Sequence, residues 1–462
     1  MADDVKKLAA GEEMLYQLDG KPPLKYAIPI GLQHVFAMFT GNIAPILIVT
    51  AGLAATNGVT QDEVVMMVQS AILMAGLATL LQVFPIKIGK FRIGSGLPIV
   101  MGSAFAFVPI MGTIGAQYGM SGILGGALIG GIVGVLMGIF MKPLQKLFQP
   151  IVVGSVLVTI GLNLLPTGAN YFAGGLGADD FGSPQNLILG FAVVLVITLV
   201  NRFGKGMIKN LGILIGIAVG YVIAIIMGGK VDFAAIADAS WFALPGFLHF
   251  TPEFHLDAIL RFAVIYIIVG LETLGNMTGI TNTVMNREPT SQEISGGIIG
   301  NSLTSMLGSL FGAFPSSAFG QNGGLVSLSG IINRFSIGTA GFFLVIISFM
   351  PKVGAVFTAM PASVLGGAVI SVFAMIFLNG VKLLAKVGFS PANIQVLSLT
   401  FGIGYGLSSV LENVTTLPTV AHFILGEPVL LVCIVCILSN ILFNGKAALQ
   451  GPDEQSPEPA KA

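Results

Sequence analysis

The sequence predicts an all-α protein that crosses a membrane many times. Its mean hydropathy is +0.92 and only 9% of its 462 residues are charged, whereas a soluble domain carries roughly 25% charged residues. Apolar runs of about 18 residues or more recur along the whole chain, which is the length that a helix needs to cross a bilayer. The runs are continuous and do not alternate with polar residues, so they indicate helices and not the strands of a membrane β-barrel.

We predict fourteen transmembrane segments. The third and tenth are short and glycine-rich, so each is expected to contain an interrupted helix. In chain order the predicted cores are residues 26–52, 63–84, 95–113, 121–141, 148–167, 187–201, 208–228, 256–278, 292–313, 317–330, 335–352, 359–379, 392–411 and 427–444.

Lysine and arginine residues predict the orientation of these segments, because cytoplasmic loops are enriched in them. With the N-terminus inside, the outer side carries only Lys230, Arg261 and Lys352. We therefore expect a multi-pass protein of the plasma (inner) membrane with both termini in the cytoplasm. Residues 1–25 are predicted to form an N-terminal tail, and residues 447–462 a disordered tail. The net charge is zero, so no nucleic-acid partner is indicated.

The two halves of the chain carry matching residues at a nearly constant separation of 211 to 214 positions. This separation pairs each segment with the seventh segment after it. Because seven is odd, the second copy would be inverted in the membrane, which is a common plan among transporters. The matching residues are Ser103-Ala104-Phe105 with Ser317-Ala318-Phe319, Pro150 with Pro361, and Gly154 with Gly366.

The stretch 315–330 is too rich in glycine, serine and amide side chains for a lipid-facing helix. Gln321 and Asn322 lie in it between glycines, and a Gln side chain offers the donors and the acceptor needed to bind a planar heterocycle. The alternative is that these amides join helices to one another. Gly320, Gly323 and Gly324 favour a binding site, because they expose backbone groups.

Glu272 lies well inside the eighth predicted segment, where a charged residue costs roughly 2.5–3.5 kcal/mol. Such residues usually face a polar cavity on the path of a substrate or a proton. The alternative is a structural carboxyl group that is protonated or hydrogen-bonded. Asn276 follows one helical turn later on the same face.

A histidine, an asparagine and a pair of cysteines are three further candidates within the apolar segments. His34, in the first segment, fits either a proton relay or a structural hydrogen bond to another segment. Asn301 is expected to brace an interrupted helix. Cys433 and Cys436 have CxxC spacing, but no histidine or second cysteine pair accompanies them, so we interpret them as packing residues. No metal site and no cofactor are predicted, and the absence of nucleotide-binding and hydrolase motifs argues against an enzyme.

The segment Gln321-Asn-Gly-Gly-Leu-Val-Ser-Leu-Ser-Gly330 resembles the signature of the nucleobase-ascorbate transporters, also called nucleobase:cation symporters of the xanthine/uracil permease type. Ser329 stands where the signature has threonine. Gln33-His34 resembles the family's Gln-His pair in the first segment, and Glu272 falls at the family's essential carboxylate. The resemblance extends from about Pro23 to Asn444.

The resemblance implies fourteen segments in two inverted repeats of seven, with short antiparallel strands in segments three and ten. Segments 1–4 and 8–11 (residues 26–141 and 256–352) would form a core, or transport, domain. Segments 5–7 and 12–14 (residues 142–255 and 353–446) would form a gate domain that also forms a homodimer.

The resemblance also implies the substrate and its contacts. The positions matching Glu272 and Gln321 bind the base directly, and backbone groups near Phe105 and Gly320 add hydrogen bonds. Gln at the first signature position is associated with purines, which indicates proton-coupled import of xanthine or uric acid. We place Ala104, Phe319 and Asn322 in the same site, and assign support or proton coupling to Glu272, Asn276, Asn301 and His34. Relatives of this selectivity often carry Asp at the positions of Asn276 and Asn301.

Two alternatives remain open at this stage. A uracil permease would share the fold, although the family associates Glu and not Gln at position 321 with uracil. An anion carrier for sulfate or bicarbonate would hold its substrate at helix N-termini in segments three and ten. Glu272 opposes that second alternative, because an ionised carboxylate repels an anion.

Overall fold

A computed structural model describes residues 12–89, 91–141, 147–205, 207–228, 231, 233–411, 414 and 425–445. The protein is mostly helical. The first eleven residues and the tail predicted over 447–462 lie outside the described residues. The helices are α1 Leu24–Asn57, α2 Gln61–Val83, α3 Val108–Ile139, α4 Pro150–Phe172, α5 Pro184–Phe203, α6 Met207–Asn210, α7 Gly212–Met227, α8 Phe233–Asp238, α9 Leu256–Val284, α10 Ser291–Ser309, α11 Gly320–Ser329, α12 Arg334–Ser348, α13 Pro351–Thr358, α14 Ala362–Val387, α15 Pro391–Leu399, α16 Ser408–Leu411 and α17 Pro428–Asn444.

Eight helices in the described part of the chain are long and apolar enough to cross a membrane, or nine if the bent pair α12 and α13 is one span. The axes of that pair differ by 85°. The predicted fourteen crossings exceed this number because several predicted segments are short or broken helices, as α7, α11 and α17 are. Fourteen crossings remain a prediction.

One long helix contains a sharp break. Gly119, inside α3, has φ 65° and ψ −164°, a backbone conformation that residues with a Cβ rarely adopt. The break falls between the predicted third segment (95–113) and fourth segment (121–141). It therefore divides α3 at the position where the sequence predicts a turn.

Two short two-stranded sheets interrupt the helices. Strands β1 (Ile86–Ile88) and β2 (Phe91–Ile93) pair antiparallel near the end of α2. Strands β3 (Met101–Ser103) and β4 (Ser316–Ala318) also pair antiparallel, although more than 200 residues separate them. This second pair confirms the expected strands in segments three and ten.

By its internal contacts the chain forms two compact units, Met1–Ile139 with Gly168–Ser371, and Phe140–Thr167 with Val372–Ala462. In the first unit, α3 packs against α9 and α10, and α12 packs against α1 and α2. In the second, α17 packs against α15 and the wide helical turn Thr400–Leu407 that follows it. The predicted core and gate domains describe which parts move together, and they remain a prediction.

Both cysteines are buried in the second unit and are not joined in a disulfide. The Cys436 thiol lies 3.7 Å from Ser155 Oγ and 3.8 Å from the Ile151 carbonyl oxygen. No group of three or more His, Cys, Asp or Glu residues that could hold a metal was found among the described residues. The environment of Cys436 is that of a small side chain packed between two helices.

Candidate functional site

The centre of the candidate site is the β3–β4 pair. Met101 lies opposite Ala318, Gly102 opposite Ser317, and Ser103 opposite Ser316. The backbone N–H of Phe319 donates to the Val100 carbonyl, and that of Ala104 donates to the Pro315 carbonyl, both at 2.9 Å. All six strand residues are buried, so the structure brings the two matching Ser-Ala-Phe sequences together in the protein interior.

Side chains from two helices hold β3. The N–H and the Oγ–H of Ser103 both donate to Asn42 Oδ1 of α1, at 2.8 and 3.1 Å. The N–H of Met101 donates to Thr79 Oγ1 of α2, at 3.0 Å. Since an isolated three-residue strand pair is not stable in itself, these bonds help to fix its position.

Two other helices hold β4 in a comparable way. Asn276 Nδ2 of α9 donates to the Ala318 carbonyl at 2.9 Å. On α10, Asn301 Oδ1 accepts from Ser316 Oγ–H at 2.8 Å, and Ser305 Oγ accepts from the Ser316 N–H at 3.0 Å. Asn301 thus braces the interrupted segment, as the sequence predicts.

Glu272 lies on α9, one turn before the Asn276 that contacts β4. Its side chain is partly exposed, and no hydrogen bond or ion pair joins it to any described residue. Its neighbour Thr273 is fully buried, and Thr273 Oγ1 also lacks a hydrogen-bond partner among the described residues. A carboxyl group without a protein partner inside a membrane helix is available to a substrate or a proton.

Helix α11 begins directly after β4, with Phe319 as its N-cap and no side chain capping it. The first backbone N–H groups of a helix have no partner within the helix. Gly320 is exposed and Gln321 is half-buried at this end, and the Gln321 side chain makes no hydrogen bond within the described residues. A Cβ placed on Gly320 would lie 3.4 Å from Asn276 Oδ1, so the start of α11 lies beside α9.

Asn322 and His34 form a direct link between α11 and α1. Asn322 Nδ2 donates to His34 Nδ1 at 3.0 Å and to the His34 carbonyl at 2.9 Å. Both residues are almost fully buried. Of the two interpretations of His34, the structure shows the hydrogen bond to another segment. Asn322 Oδ1 has no partner among the described residues.

The two phenylalanines at the strand ends are buried. A Cβ on Gly41 would lie 2.7 Å from the Phe319 ring, and one on Gly102 would overlap that ring. Phe319 therefore lies in a space that two glycines leave open. Phe105 begins the short helical turn Phe105–Phe107, and Ala104 is its N-cap.

The two glycines beside Glu272, Gly270 and Gly275, differ in how closely other parts of the protein approach them. A Cβ on Gly270 would lie 2.6 Å from the sulfur of Met137, so a neighbouring helix approaches closely there. Gly275 has no heavy atom within 4 Å of its Cβ position. That side of α9 is therefore open within the described residues.

Sequence reasoning missed several residues that hold the strands, namely Asn42, Thr79, Ser305 and Ser316. The available signal was an amide or hydroxyl group in the middle of an apolar segment, as in Thr40-Gly41-Asn42. Such a group must find a partner inside the protein, but the pattern does not tell which strand provides it.

Comparison with known proteins supplies the family. The Xan_ur_permease model, described as "Permease family", matches residues 25–413. A xanthine permease of Bacillus subtilis (strain 168) is 35% identical over 419 residues, covering 90% of this chain and 93% of the relative. The uric acid permease PucK of the same organism is also 35% identical over 419 residues, covering 90% and 95%.

Among solved structures, the transmembrane domain of the cyanobacterial bicarbonate transporter BicA is similar in fold. The TM-score is 0.53 at 13% identity, with 90% of this chain and 97% of that chain covered. The family model and the relatives agree on the family. The relatives named above are transporters and not enzymes, and the apolar helices are those of a multi-pass membrane protein. The chain belongs to the xanthine/uracil permease family.

Proposed function

We propose that the protein is a secondary active transporter that imports a purine nucleobase, either xanthine or uric acid or both, together with a proton. The observation that carries this proposal is Glu272, a carboxyl group without a partner among the described residues, one turn from the Asn276 that contacts β4. The similarity to xanthine and uric acid permeases over nine-tenths of the chain supports the choice of substrate.

The chemistry of a purine base fits the groups at this site. Xanthine and uric acid present several ring N–H groups and carbonyl oxygens in one plane. The Glu272 carboxylate accepts from ring N–H groups, and the Gln321 amide provides both a donor and an acceptor for one edge of the ring. The unpaired N–H groups at the start of α11, at Gly320 and Gln321, donate to the carbonyl oxygens.

The remaining predicted residues shape the site in this proposal. Phe105 and Phe319 pack against the base, and Ala104 allows it to approach β3. Asn322 contributes by holding α11 to His34. Asn276 and Asn301 hold β4 in position, so the backbone beyond Ala318 presents its polar groups at a fixed place.

Transport follows from alternating access. We propose two inverted repeats of seven segments, with a core domain (26–141 and 256–352) that moves in an elevator-like way against a gate domain (142–255 and 353–446), in a homodimer in the inner membrane. The support for the repeats is that β3 and β4 are each braced from the two helical segments that precede them in their half of the chain. Protonation of Glu272 couples proton movement to substrate loading.

A second candidate is an anion carrier, because the fold resembles the transmembrane domain of a bicarbonate transporter. In that case the N-terminal end of α11 would hold the anion. Glu272 opposes this function unless its carboxyl group is protonated, since it lies on the helix that contacts β4. A uracil permease is a further alternative, and inhibition of xanthine uptake by unlabelled uracil would distinguish it.

The test is uptake of radiolabelled xanthine by cells that lack their own purine permeases and express this chain. Unlabelled uric acid, guanine, uracil and sulfate serve as competitors, with and without a protonophore. We expect inhibition by purines alone and loss of accumulation with the protonophore. Inhibition by sulfate and not by purines would replace the proposal with an anion carrier, and inhibition by uracil would replace the purine assignment.

A further inference from the structure

A cavity of about 680 Å³ shares no lining residue with the strand pair, and half of its lining residues are charged. The lining side chains carry four positive charges and one negative charge. They lie in the segment before α1, on strands β1 and β2 and at the start of α12, all on the predicted cytoplasmic side. The charged lining residues are Asp19, Lys21, Lys87, Arg92 and Arg334.

Two guanidinium groups lie close together in this cavity. Arg92 Nη2 lies directly over Gly96, and a Cβ on that glycine would be 3.2 Å from Arg334 Nη1. Arg92 Nε is buried without a hydrogen-bond partner among the described residues. Burial lowers the pKa of Arg92, Glu293 opposes this change and Arg334 adds to it. Like charges held together in this way favour an anion between them.

The nearby carboxylates do not neutralise the cluster. Glu293 is engaged by Arg287 through two hydrogen bonds of 2.7 and 2.8 Å. Asp19 pairs with Arg334, and one carboxylate cannot balance four cations. Lys21 and Lys87 are exposed at the edge of the cavity and have no ion pair within the described part of the chain.

The wall of the cavity is held in place by hydrogen bonds. Asn333 Nδ2 donates to the carbonyl oxygens of Met14, Gln17 and Gly20, at 3.0 to 3.4 Å. The Arg334 N–H donates to the Leu18 carbonyl at 3.0 Å. The segment before α1 is therefore fixed against the start of α12.

The surroundings of the cavity are apolar and exposed. Phe84, Ile86 and Ile88 are each about half exposed, and Lys87 lies between the two isoleucines on β1. Apolar side chains beside cations, at the predicted cytoplasmic ends of membrane helices, fit the interface of a bilayer.

We propose that this cavity binds a phosphate group, supplied by an anionic phospholipid of the cytoplasmic leaflet. The guanidinium groups of Arg92 and Arg334 bind the phosphate oxygens, and Lys21 and Lys87 add positive charge at the edge of the cavity. The exposed isoleucines of β1, Ile86 and Ile88, contact the acyl chains. Free inorganic phosphate has the same chemistry, and the experiment distinguishes the two sources.

The test uses the full chain purified in detergent and in nanodiscs of phosphatidylcholine with increasing phosphatidylglycerol. Bound lipid is counted by native mass spectrometry, and the Tm is recorded in parallel. The variant Lys21→Gln/Lys87→Gln is compared with Lys205→Gln/Lys209→Gln, which removes two predicted cytoplasmic charges elsewhere. Lys21→Arg/Lys87→Arg keeps the charge and controls for local structure.

We expect phosphatidylglycerol to bind the wild type and raise its Tm. At about 1 kcal/mol per lysine near a membrane surface, the Lys21→Gln/Lys87→Gln variant should bind it roughly 30-fold more weakly, and the arginine and distant variants should bind it normally. Equal weakening in both glutamine variants would overturn the proposal. Inorganic phosphate is also tested in detergent, against chloride at equal ionic strength. If phosphate raises the Tm and phosphatidylglycerol does not, the lipid is not the source of the bound phosphate group.

Discussion

At the scale of single residues, Glu272 has the clearest physical argument. The insertion of a carboxyl group into a membrane helix costs free energy, and no hydrogen bond or ion pair from the described residues offsets that cost. In the proposed function this carboxyl group gains its partners when a substrate or a proton arrives. On that proposal, the side chain contributes to binding more than to folding.

Glu272→Gln should abolish or uncouple uptake and leave the folded protein intact. A hydrogen bond to a charged group contributes about 1.5–3 kcal/mol, so affinity for xanthine should fall roughly 10- to 150-fold. Uptake and direct binding to purified protein measure the effect, with the exposed Glu288→Gln as a control. Normal proton-dependent uptake by Glu272→Gln would contradict the assigned role.

Gln321→Glu tests whether the Gln321 amide selects the base by binding one edge of its ring. The family resemblance associates Glu at this position with uracil, and a carboxylate replaces the amide donors with acceptors. We expect weaker inhibition of uptake by xanthine and stronger inhibition by uracil, measured as the competitor concentration for half inhibition. An unchanged order of competitors in a folded variant would show that Gln321 does not select the base.

At the scale of elements, the strand pair depends on the helices around it. Each strand has three residues, which is too few to form a stable hairpin alone. Amide and hydroxyl side chains of α1, α2, α9 and α10 hold the two strands. Hydrogen bonds in this interior matter because water is not available to replace them.

Asn42→Ala should destabilise the protein by about 1–3 kcal/mol, because it leaves the buried N–H of Ser103 without an acceptor. Thermal unfolding in detergent measures the change. Asn282→Ala removes the same side chain at an exposed position and should change the Tm little. Equal Tm values for the two variants would show that Asn42 does not support β3.

Gly102→Ala should also destabilise the protein, by about 1–3 kcal/mol, because the added methyl group overlaps the Phe319 ring. Gly112→Ala is the matched control, since no heavy atom lies within 4 Å of its Cβ position. We expect a lower Tm for Gly102→Ala and an unchanged or higher one for Gly112→Ala. The reverse order would mean that Phe319 moves without cost.

At the scale of the whole molecule, the orientation prediction can be tested with single cysteines. Leu176 and Phe389 are both well exposed and fall on opposite sides of the predicted membrane, with Leu176 outside. An impermeant maleimide should label Leu176→Cys in intact cells and Phe389→Cys only after permeabilisation. The buried Cys433 and Cys436 should give little background, which the wild type controls. Labelling of Phe389→Cys in intact cells would disprove the predicted orientation.

The family and the residues on which it rests were accessible from the sequence, because polar groups in apolar segments are few. Glu272, Gln321 and Asn322 stand out for that reason. The contact that Asn322 makes was not accessible in this way. Its amide is buried against His34 of α1, and a pairing between residues 288 positions apart leaves no local pattern in the chain.

Composition and hydrophobic run length alone determined that this is a helical membrane protein, because a bilayer imposes length and polarity on each segment separately. The short motif at 321–330 indicated the family because it, too, is contained in one continuous stretch of the chain. The tertiary structure decided which distant polar groups meet, namely Asn42 with Ser103, Asn301 with Ser316 and Arg92 with Arg334. These contacts depend on how helices pack against each other, and packing involves surfaces that no single stretch of sequence contains.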